Sequence, residues 1–298
     1  MLPSMAARGN RHPTIAILGA GNLGNALAPA LADCGYPVAE ISSRPNAASR
    51  KRAAALARRI GARPVVLGTD EIQADLIWLC VPDRELSTCA RLLAQSRWKG
   101  RIALHSSGAL ASNALGPLRR RGASVASVHP LMTFVPGANP FLRGVAFALE
   151  GDRQAVAAAR RIISALAGRA YPIAPQDKPL YHAWATFTSP LLTILLETAE
   201  RVARAAHIPN AQARQRAAPI LRQTLENYLR HGAARGFSGP LIRGDANTVR
   251  RHLAVLRTVP GAREVYLALA RAALQTLPAR NRPELKKVLG GGHDPGSS

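Results

Sequence analysis

Residues 14–24 read Thr-Ile-Ala-Ile-Leu-Gly-Ala-Gly-Asn-Leu-Gly, an apolar run followed directly by a glycine-rich turn. The run has the length of a buried strand, and helical spacing of apolar residues follows it over residues 22–34. In such a GxGxxG turn the first glycine makes the tight bend, the second lets the backbone approach a pyrophosphate, and the third lets the helix pack closely on the strand. The diphosphate then lies on the N–H groups at the start of the helix. The segment predicts a dinucleotide site formed by Gly19, Gly21, Asn22, Leu23 and Gly24.

Outward from this segment, apolar runs alternate with helical stretches as far as residue 173. Further strands are predicted at residues 38–42, 64–68, 76–81, 101–106, 124–129, 145–149 and 170–173, and further helices at 47–60, 83–95, 112–121 and 153–167. Apolar runs separated by helices indicate an α/β fold with a parallel sheet that is covered on both faces.

The pattern changes after residue 174, because only helical periodicity follows, with breaks at residues 207–209, 232–240 and 259–261. We therefore expect a Rossmann-type domain over residues 13–174 and an all-helical domain over residues 175–289. Residues 1–12 and 290–298 are expected to be loose tails.

The end of the second predicted strand, Ile41-Ser42-Ser43-Arg44, indicates which dinucleotide is bound. NAD enzymes usually place Asp or Glu here for the ribose 2′-hydroxyl, whereas NADP enzymes replace it and often add Arg. Ser43 can hydrogen-bond a 2′-phosphate, and Arg44 can pair with it and stack on the adenine. Glu40 is the competing candidate, and the alternative for Arg44 is a purely surface position. The pattern favours NADP as the cofactor.

The net charge of +23 raises the question of a nucleic-acid partner. Only five of the 40 basic residues are lysine, and the arginines are spread along the chain with no aromatic platform or recognised reading motif beside them. We therefore expect no nucleic-acid partner, and we interpret the charge as favouring anionic cofactors and substrates. The sequence has no apolar run of the length that spans a membrane, and its three cysteines lack metal spacing, so we expect a cytoplasmic protein with no membrane contact.

Three segments follow the next predicted strands and should meet at the ligand-binding edge of the sheet. They begin at Val81-Pro82, at His105-Ser106-Ser107 and at His129. Val81 and Pro82 are expected to line the cofactor site, while Ser106, Ser107 and His129 are candidate catalytic residues that could orient a carbonyl or imine or deliver a proton. The alternative is that each histidine bonds a neighbouring backbone group and stabilises a turn. We favour that alternative for His105, and both readings stay open for His129.

Four stretches carry a resemblance to a known family: ALHSSGAL at 103–110, SVHPLMTF at 127–134, LYHAW at 180–184 and GPLIRGD at 239–245. From about Thr14 to about Leu256 the chain resembles bacterial Rossmann-like proteins whose C-terminal half is a domain of unknown function. That family is distantly related to pyrroline-5-carboxylate reductase, 6-phosphogluconate dehydrogenase and deazaflavin-dependent NADP oxidoreductases. The resemblance implies a 6-phosphogluconate dehydrogenase-like architecture, a homodimer formed through the helical domain, and an NADP-linked oxidoreductase activity, but it supplies no substrate.

The chain departs from the family pattern in two places. The family typically has Tyr-His-Ala-Ala and then Ser-Asn, whereas this chain has Trp184 in the first motif and Ser189-Pro190 at the second. In related dehydrogenases a helix carries a Lys and an Asn that hold the substrate's oxygen. Lys178 can play the first part, or it is a solvated linker residue, but Pro190 supplies no amide donor and should kink the helix.

Two further candidate catalytic residues belong to the predicted helical domain. His182 lies seven residues before Ser189, so we expect the two to share one helix face that points to a cleft. Arg243 either grips a substrate carboxylate or pairs with Asp245 to fix its loop. Asp245 itself is expected to cap a helix that starts near residue 246.

The working hypothesis is hydride transfer between NADPH and a small anionic carbonyl or imine, or oxidation of the matching hydroxy acid. Ser106, Ser107 and His129 would act from the first domain, and Lys178, His182 and Arg243 from the second. The alternative is a non-catalytic NADP-binding sensor or scaffold, which Pro190 favours.

Overall fold

The computed structural model describes residues 12–138 and 142–290, and the chain divides into two compact units between Thr186 and Phe187. The predicted tails lie outside the described residues, except for His12, whose ring stacks on Tyr36, and Gly290, which ends a helix. The expected boundary lay near residue 175. The contacts instead group the residues up to Thr186 with the sheet.

The first unit contains one eight-stranded sheet in the order β3-β2-β1-β4-β5-β6-β7-β8. Its strands are β1 Ile15–Leu18, β2 Val38–Ser43, β3 Arg63–Val66, β4 Leu76–Leu79, β5 Ile102–His105, β6 Ser124–Pro130, β7 Ala146–Gly151 and β8 Arg169–Pro172. The first six strands are parallel to their neighbours, as the alternation with helices predicts.

The last two strands extend the sheet as expected, but β7 pairs antiparallel with β6, and β8 pairs parallel with β7. The predicted parallel sheet is confirmed, and the structure adds that its extension at β7 runs antiparallel. The physical reason is the connection. A parallel neighbour needs a crossover element, whereas the described residues between β6 and β7 contain no helix, so the chain returns in the opposite direction.

Helices cover both faces of the sheet. Successive strand residues point to opposite faces, so each face has its own apolar core. Ile15 and Ile17 face the core shared with α1, α2 and α5, while Ala16 and Leu18 face the core shared with α3 and α4. The helices of this unit are α1 Asn22–Asp33, α2 Ala47–Ile60, α3 Asp83–Leu93, α4 Gly116–Arg120 and α5 Arg153–Ala165, with 3-10 turns at Ser112–Leu115 and Pro175–Asp177. The next helix, α6 Lys178–Thr188, begins in this unit, and its last two residues belong to the second. All four residues of β1 are fully buried, which fixes the strand that leads into the glycine turn.

The expected kinked helix across Pro190 is instead two helices. One ends at Thr188, and α7, Pro190–Ala205, begins with Pro190 in its first turn. Proline is favoured there because the first amides of a helix need no partner within the helix. Ser189 has φ −127° and ψ −73° and lies outside both helices, so the prediction that it shares a helix face with His182 is wrong.

The second unit is entirely helical in the residues that the structure describes. After α7 it contains α8 Asn210–Gly236, α9 Pro240–Arg243, α10 Ala246–Val255, α11 Ala262–Thr276 and α12 Arg282–Gly290, with a 3-10 turn at Leu256–Thr258. The predicted helix start after Asp245 is confirmed, because the Asp245 carboxylate accepts from the backbone N–H of Thr248 at 2.9 Å. Within residues 12–138 and 142–290, no helix combines the length and apolar content that crossing a membrane requires.

Candidate functional site

The glycine turn between β1 and α1 has the geometry that the sequence predicts. Gly19 has φ +108°, a conformation that other residues rarely adopt, and a Cβ there would approach the Cys80 carbonyl oxygen to 2.6 Å. A Cβ on Gly24 would overlap the carbonyl oxygen of Gly19. A Cβ on Gly21, by contrast, would meet nothing within 4 Å. Gly19 and Gly24 are therefore required by the protein's own packing, whereas Gly21 leaves open space above the turn.

The first turn of α1 lies beside this open space. Its N-cap residue is Gly21, and no side chain caps the helix, so the amides of the first turn are available to an anion. The Asn22 side chain donates to the Phe134 carbonyl at 3.0 Å, and Leu23 packs against the core, so the backbone N–H groups of both residues are the groups that the turn presents to an anion.

A cavity of about 360 Å³ opens on this turn. Its lining is Leu18, Gly19, Ala20, Gly21, Asn22, Asn25, Arg44, Ser49, Arg52, Cys80, Val81 and Pro82. Sequence reasoning missed Ser49 and Arg52, although both lie near the start of α2 and their spacing of three places them on one helix face. Ser43 is absent from the lining because it is buried, and its hydroxyl donates to the Val65 carbonyl at 3.3 Å. Ser49 therefore lines the cavity, whereas Ser43, the serine predicted from the sequence, does not.

The position of Glu40 removes the competing candidate for ribose binding. Its carboxylate is buried, forms an ion pair with Arg63, and accepts backbone N–H bonds from Gln73 and Ala74 at 3.1 to 3.2 Å. A carboxylate with these partners has a structural role below the sheet edge. The charged side chains that line the described cavity are therefore Arg44 and Arg52, both cationic.

A second cluster forms where β5 and β6 end and α6 begins. Lys178 is fully buried, and its ammonium donates to the Ser107 carbonyl at 3.0 Å and to the Ser127 hydroxyl at 2.8 Å. Burial lowers the pKa of Lys178, and the negative charges of Glu150 and Asp83 oppose that shift. Lys178 has no exposed surface and holds the start of α6 to β6 and to the loop after β5. A catalytic role for Lys178 stays a prediction.

The loop after β5 uses its polar side chains for its own structure. His105 is buried, with its Nε2 atom 3.1 Å from the Ala111 carbonyl oxygen. Its Nδ1 atom accepts a hydrogen bond from the Ser107 N–H at 3.1 Å, and both contacts agree with the turn-stabilising alternative. The Ser107 hydroxyl accepts from the Leu110 N–H at 2.8 Å, and the Ser106 hydroxyl accepts from the Trp78 indole at 2.8 Å. Catalytic roles for Ser106 and Ser107 stay predictions, and each hydroxyl already has a structural partner.

His129 contacts a side chain that sequence reasoning left out of the site, Tyr181. His129 Nδ1 lies 3.0 Å from the Tyr181 hydroxyl, and the two rings meet edge to face. The ring of His182 stands 5.9 Å from that of His129, and a Cβ on Gly108 would collide with both imidazoles. Tyr181 could have been found from spacing, because residues 178, 181 and 182 share one face of α6.

The environment keeps both members of the His129–Tyr181 pair uncharged at neutral pH. Burial lowers the pKa of His129 to about 4, with smaller contributions from the charge of Lys178 and from the neighbouring imidazoles. Burial also raises the pKa of Tyr181 to about 12. In the tautomer with its proton on Nδ1, His129 donates to the phenol oxygen and leaves the Tyr181 O–H free to donate to a ligand.

Buried neutral imidazoles should make the protein acid-sensitive. Burial lowers the pKa of His105 to about 4 as well, whereas an unfolded histidine titrates near 6.5. The unfolded state therefore binds more protons at these histidines below about pH 6.5, so their contribution to stability is constant above that pH and falls as the pH drops toward 4. We expect His105 alone to cost about 2 kcal/mol of unfolding free energy at pH 5 relative to pH 7.5.

Urea unfolding at the two pH values measures this loss. His105→Asn should show a smaller drop than the wild type, and His231→Gln, a change of an exposed histidine on α8, should show the full drop. Equal drops in wild type and His105→Asn would contradict the assignment.

The remaining predicted residue, Arg243, lies in the second compact unit at the exposed end of α9. The Asp245 carboxylate, the predicted partner of Arg243, already accepts a hydrogen bond from Thr248. Hydrogen bonds from Thr248 are the largest cause of the lowered pKa of Asp245. A substrate contact by Arg243 stays a prediction. Among the described residues no group of His, Cys, Asp and Glu is arranged to hold a metal ion.

Comparisons with known proteins agree with this architecture. A family model described as "Rossmann-like domain" matches residues 5–130, and one described as "Domain of unknown function (DUF2520)" matches residues 145–273. The two matched ranges follow one another along the chain and together span most of it. The resemblance predicted from the sequence is confirmed. A comparison with curated protein sequences finds no match.

Solved structures share the fold over most of the chain. A Bacteroides fragilis protein, provisionally assigned as an NADP oxidoreductase, has 21% identity and a TM-score of 0.75 over 88% of this chain and 97% of its own. A reductive aminase from Aspergillus terreus, in complex with NADPH and ethyl-5-oxohexanoate, has 16% identity and a TM-score of 0.62 over 89% and 94%. An imine reductase from Myxococcus stipitatus, in complex with NADP+, has 18% identity and a TM-score of 0.61 over 88% and 94%.

Proposed function

We propose that this protein is an NADP-dependent oxidoreductase that reduces a small anionic carbonyl or imine. The observation that carries the proposal is the cavity on the glycine turn, where the α1 amides meet the side chains of Arg44 and Arg52 and where Glu40 is withdrawn. Such a lining suits a diphosphate and an additional phosphate, and it is poorly suited to the NAD mode of binding through a carboxylate.

Different residues would bind different parts of the cofactor. The amides at the start of α1 would hold the diphosphate, while Arg44, Arg52 and Ser49 would hold the 2′-phosphate. The bound nicotinamide would supply or accept a hydride. The solved structures of similar fold that contain NADPH or NADP+ support this choice of cofactor.

The His129–Tyr181 pair would bind the substrate and donate a proton or hydrogen bond to it. In the strand order, β4, β5 and β6 lie on the opposite side of β1 from β2, which carries Arg44 at its end. A dinucleotide that crosses the crevice from the Arg44 side therefore extends toward the ends of β4 and β5, beside this pair. The Tyr181 hydroxyl would donate a proton or hydrogen bond to the carbonyl oxygen or imine nitrogen, and His129 would hold that hydroxyl in place.

Calorimetric titration with NADPH and NADH tests the cofactor assignment. Wild type should bind NADPH more tightly than NADH. Arg44→Gln should weaken NADPH binding by about 10- to 100-fold, because a charge-assisted bond to phosphate is lost, and should change NADH binding less than about twofold. Arg50→Gln, a change of an exposed α2 residue outside the cavity lining, is the matched control. Tighter binding of NADH by wild type would refute NADP as the cofactor.

We also propose that the protein forms a homodimer through its helical unit. The support is the apolar surface of that unit: α8 buries one residue, Ala213, and exposes Ile220, Tyr228 and Leu229, the last of them 80% exposed. Large exposed apolar surfaces of this kind are usual at interfaces between protein chains. Sedimentation equilibrium measures the oligomeric state.

A further inference from the structure

An ion pair spans the edge of the proposed cofactor cavity. Arg44 follows β2 and lines the cavity, while Glu85 lies in the first turn of α3, three residues after Pro82 on the opposite wall. The Arg44 guanidinium is 2.9 Å from the Glu85 carboxylate, and the side chains are 31% and 25% exposed. The pair therefore joins the segment that would bind the 2′-phosphate to the segment that follows β4.

Glu85 has a second arginine within reach. Arg84 Nε lies 3.7 Å from the same Glu85 oxygen, and the Arg84 side chain is 83% exposed. Arg52, the other cation of the cavity, has no carboxylate within ion-pair distance among the described residues. Glu85 is thus placed between an arginine of the cavity and an arginine of the surface.

A phosphate and a carboxylate compete for one guanidinium. A 2′-phosphate carries up to two negative charges, so in the bound state it would draw Arg44 away from Glu85 and would also repel that carboxylate at short range. An unmodified ribose hydroxyl is neutral and leaves the ion pair in place. The pair therefore opposes binding of the phosphorylated nucleotide specifically.

We infer that Glu85 is a specificity-determining residue that restrains Arg44 and reduces the preference for NADPH over NADH. Arg84 takes over the Glu85 carboxylate when Arg44 turns to the phosphate. This inference rests on the proposed NADP function, and it adds a residue to the cofactor site that lies outside the cavity lining.

The test is calorimetric titration of NADPH and NADH at low ionic strength, where screening is weak. The variants are Glu85→Gln, which keeps the shape and removes the charge, and Glu71→Gln, which makes the same charge change at an exposed site outside the lining. Arg84→Gln removes the second partner. Arg44→Gln and the double variant Arg44→Gln/Glu85→Gln complete a thermodynamic cycle. Circular dichroism melting verifies that each variant is folded.

We expect Glu85→Gln to tighten NADPH binding by about fivefold or more and to change NADH binding less than about twofold. Arg84→Gln should weaken NADPH binding about two- to threefold, because Glu85 then keeps its hold on Arg44. In the Arg44→Gln background the effect of Glu85→Gln should fall below about twofold. Glu71→Gln should leave both affinities unchanged.

The opposite results separate the two proposals. If Glu85→Gln leaves or weakens NADPH binding, or shifts both nucleotides equally, the role of Glu85 is overturned while the cofactor assignment stands. If Glu85→Gln does not fold, the Arg84→Gln result decides the inference, and unchanged NADPH affinity there overturns it. If wild type binds neither nucleotide, the proposed function fails and this inference fails with it.

Discussion

Gly21→Ala is expected to fold like the wild type and to bind NADPH about thirtyfold more weakly or worse. Gly21 has φ −81°, which any residue adopts, and its added Cβ would meet no protein atom within 4 Å. The methyl group would instead occupy the space above the turn where the diphosphate must approach the backbone. A steric cost of about 2 kcal/mol in the complex corresponds to that loss of affinity.

Gly24→Ala is the matched comparison, one helical turn further along. Its Cβ would overlap the carbonyl oxygen of Gly19, a backbone atom that cannot move aside alone, so the folded state itself should lose about 3 kcal/mol. Thermal unfolding and NADPH titration of the two variants give the answer together. Unchanged NADPH affinity in Gly21→Ala would place the diphosphate elsewhere, and normal stability of Gly24→Ala would contradict the close packing of α1 on β1.

Tyr181→Phe is expected to reduce turnover by about 100- to 10,000-fold, the usual range for loss of a positioned proton donor, with NADPH affinity unchanged. The hydroxyl is the only group removed, and it lies 3.0 Å from His129 Nδ1 on a side chain that is partly buried. Because the substrate is a proposal, NADPH consumption would first be followed with 2-keto acids and cyclic imines. Tyr171→Phe, on an exposed face of β8, is the control.

A His129→Asn variant separates proton donation from positioning. It keeps the Tyr181 hydroxyl but removes the ring that holds it, so we expect a smaller fall in kcat than for Tyr181→Phe. Full activity of Tyr181→Phe on a substrate that wild type reduces would eliminate the pair from the mechanism. Unimpaired NADPH binding without turnover on any compound would favour the alternative of a non-catalytic NADP-binding protein.

Much of the cofactor half of the site could be predicted because it depends on local chemistry. Gly19 is required by its positive φ and Gly24 by its contact with the Gly19 carbonyl in the same turn, while Gly21 completes the local GxGxxG spacing. Arg44 follows directly from the end of a strand. A phosphate contact by Ser43 stays a prediction, because the side-chain direction at the end of β2 turns its hydroxyl toward the Val65 carbonyl. Ser49 and Arg52 line the cavity because α2 turns their shared face toward it.

The proton-donor half depends on contacts between distant residues. Tyr181 meets His129 across 52 residues of sequence, and Lys178 reaches the Ser107 carbonyl across 71. Nothing local in residues 178–182 indicates that the lysine is fully buried while the tyrosine stays partly accessible. That difference in exposure is the reason why we propose Tyr181, and not Lys178, as the proton donor.

The sequence by itself determined the α/β alternation, the glycine turn, the helical second half and the cap of α10, since each depends on periodicity or on side-chain chemistry within a few residues. The tertiary structure decided the direction of β7, the end of α6 before Pro190, the withdrawal of Glu40 and the Arg44–Glu85 and His129–Tyr181 pairs. These features depend on burial and on contacts between residues far apart in the chain, and both exist only once the sheet has formed.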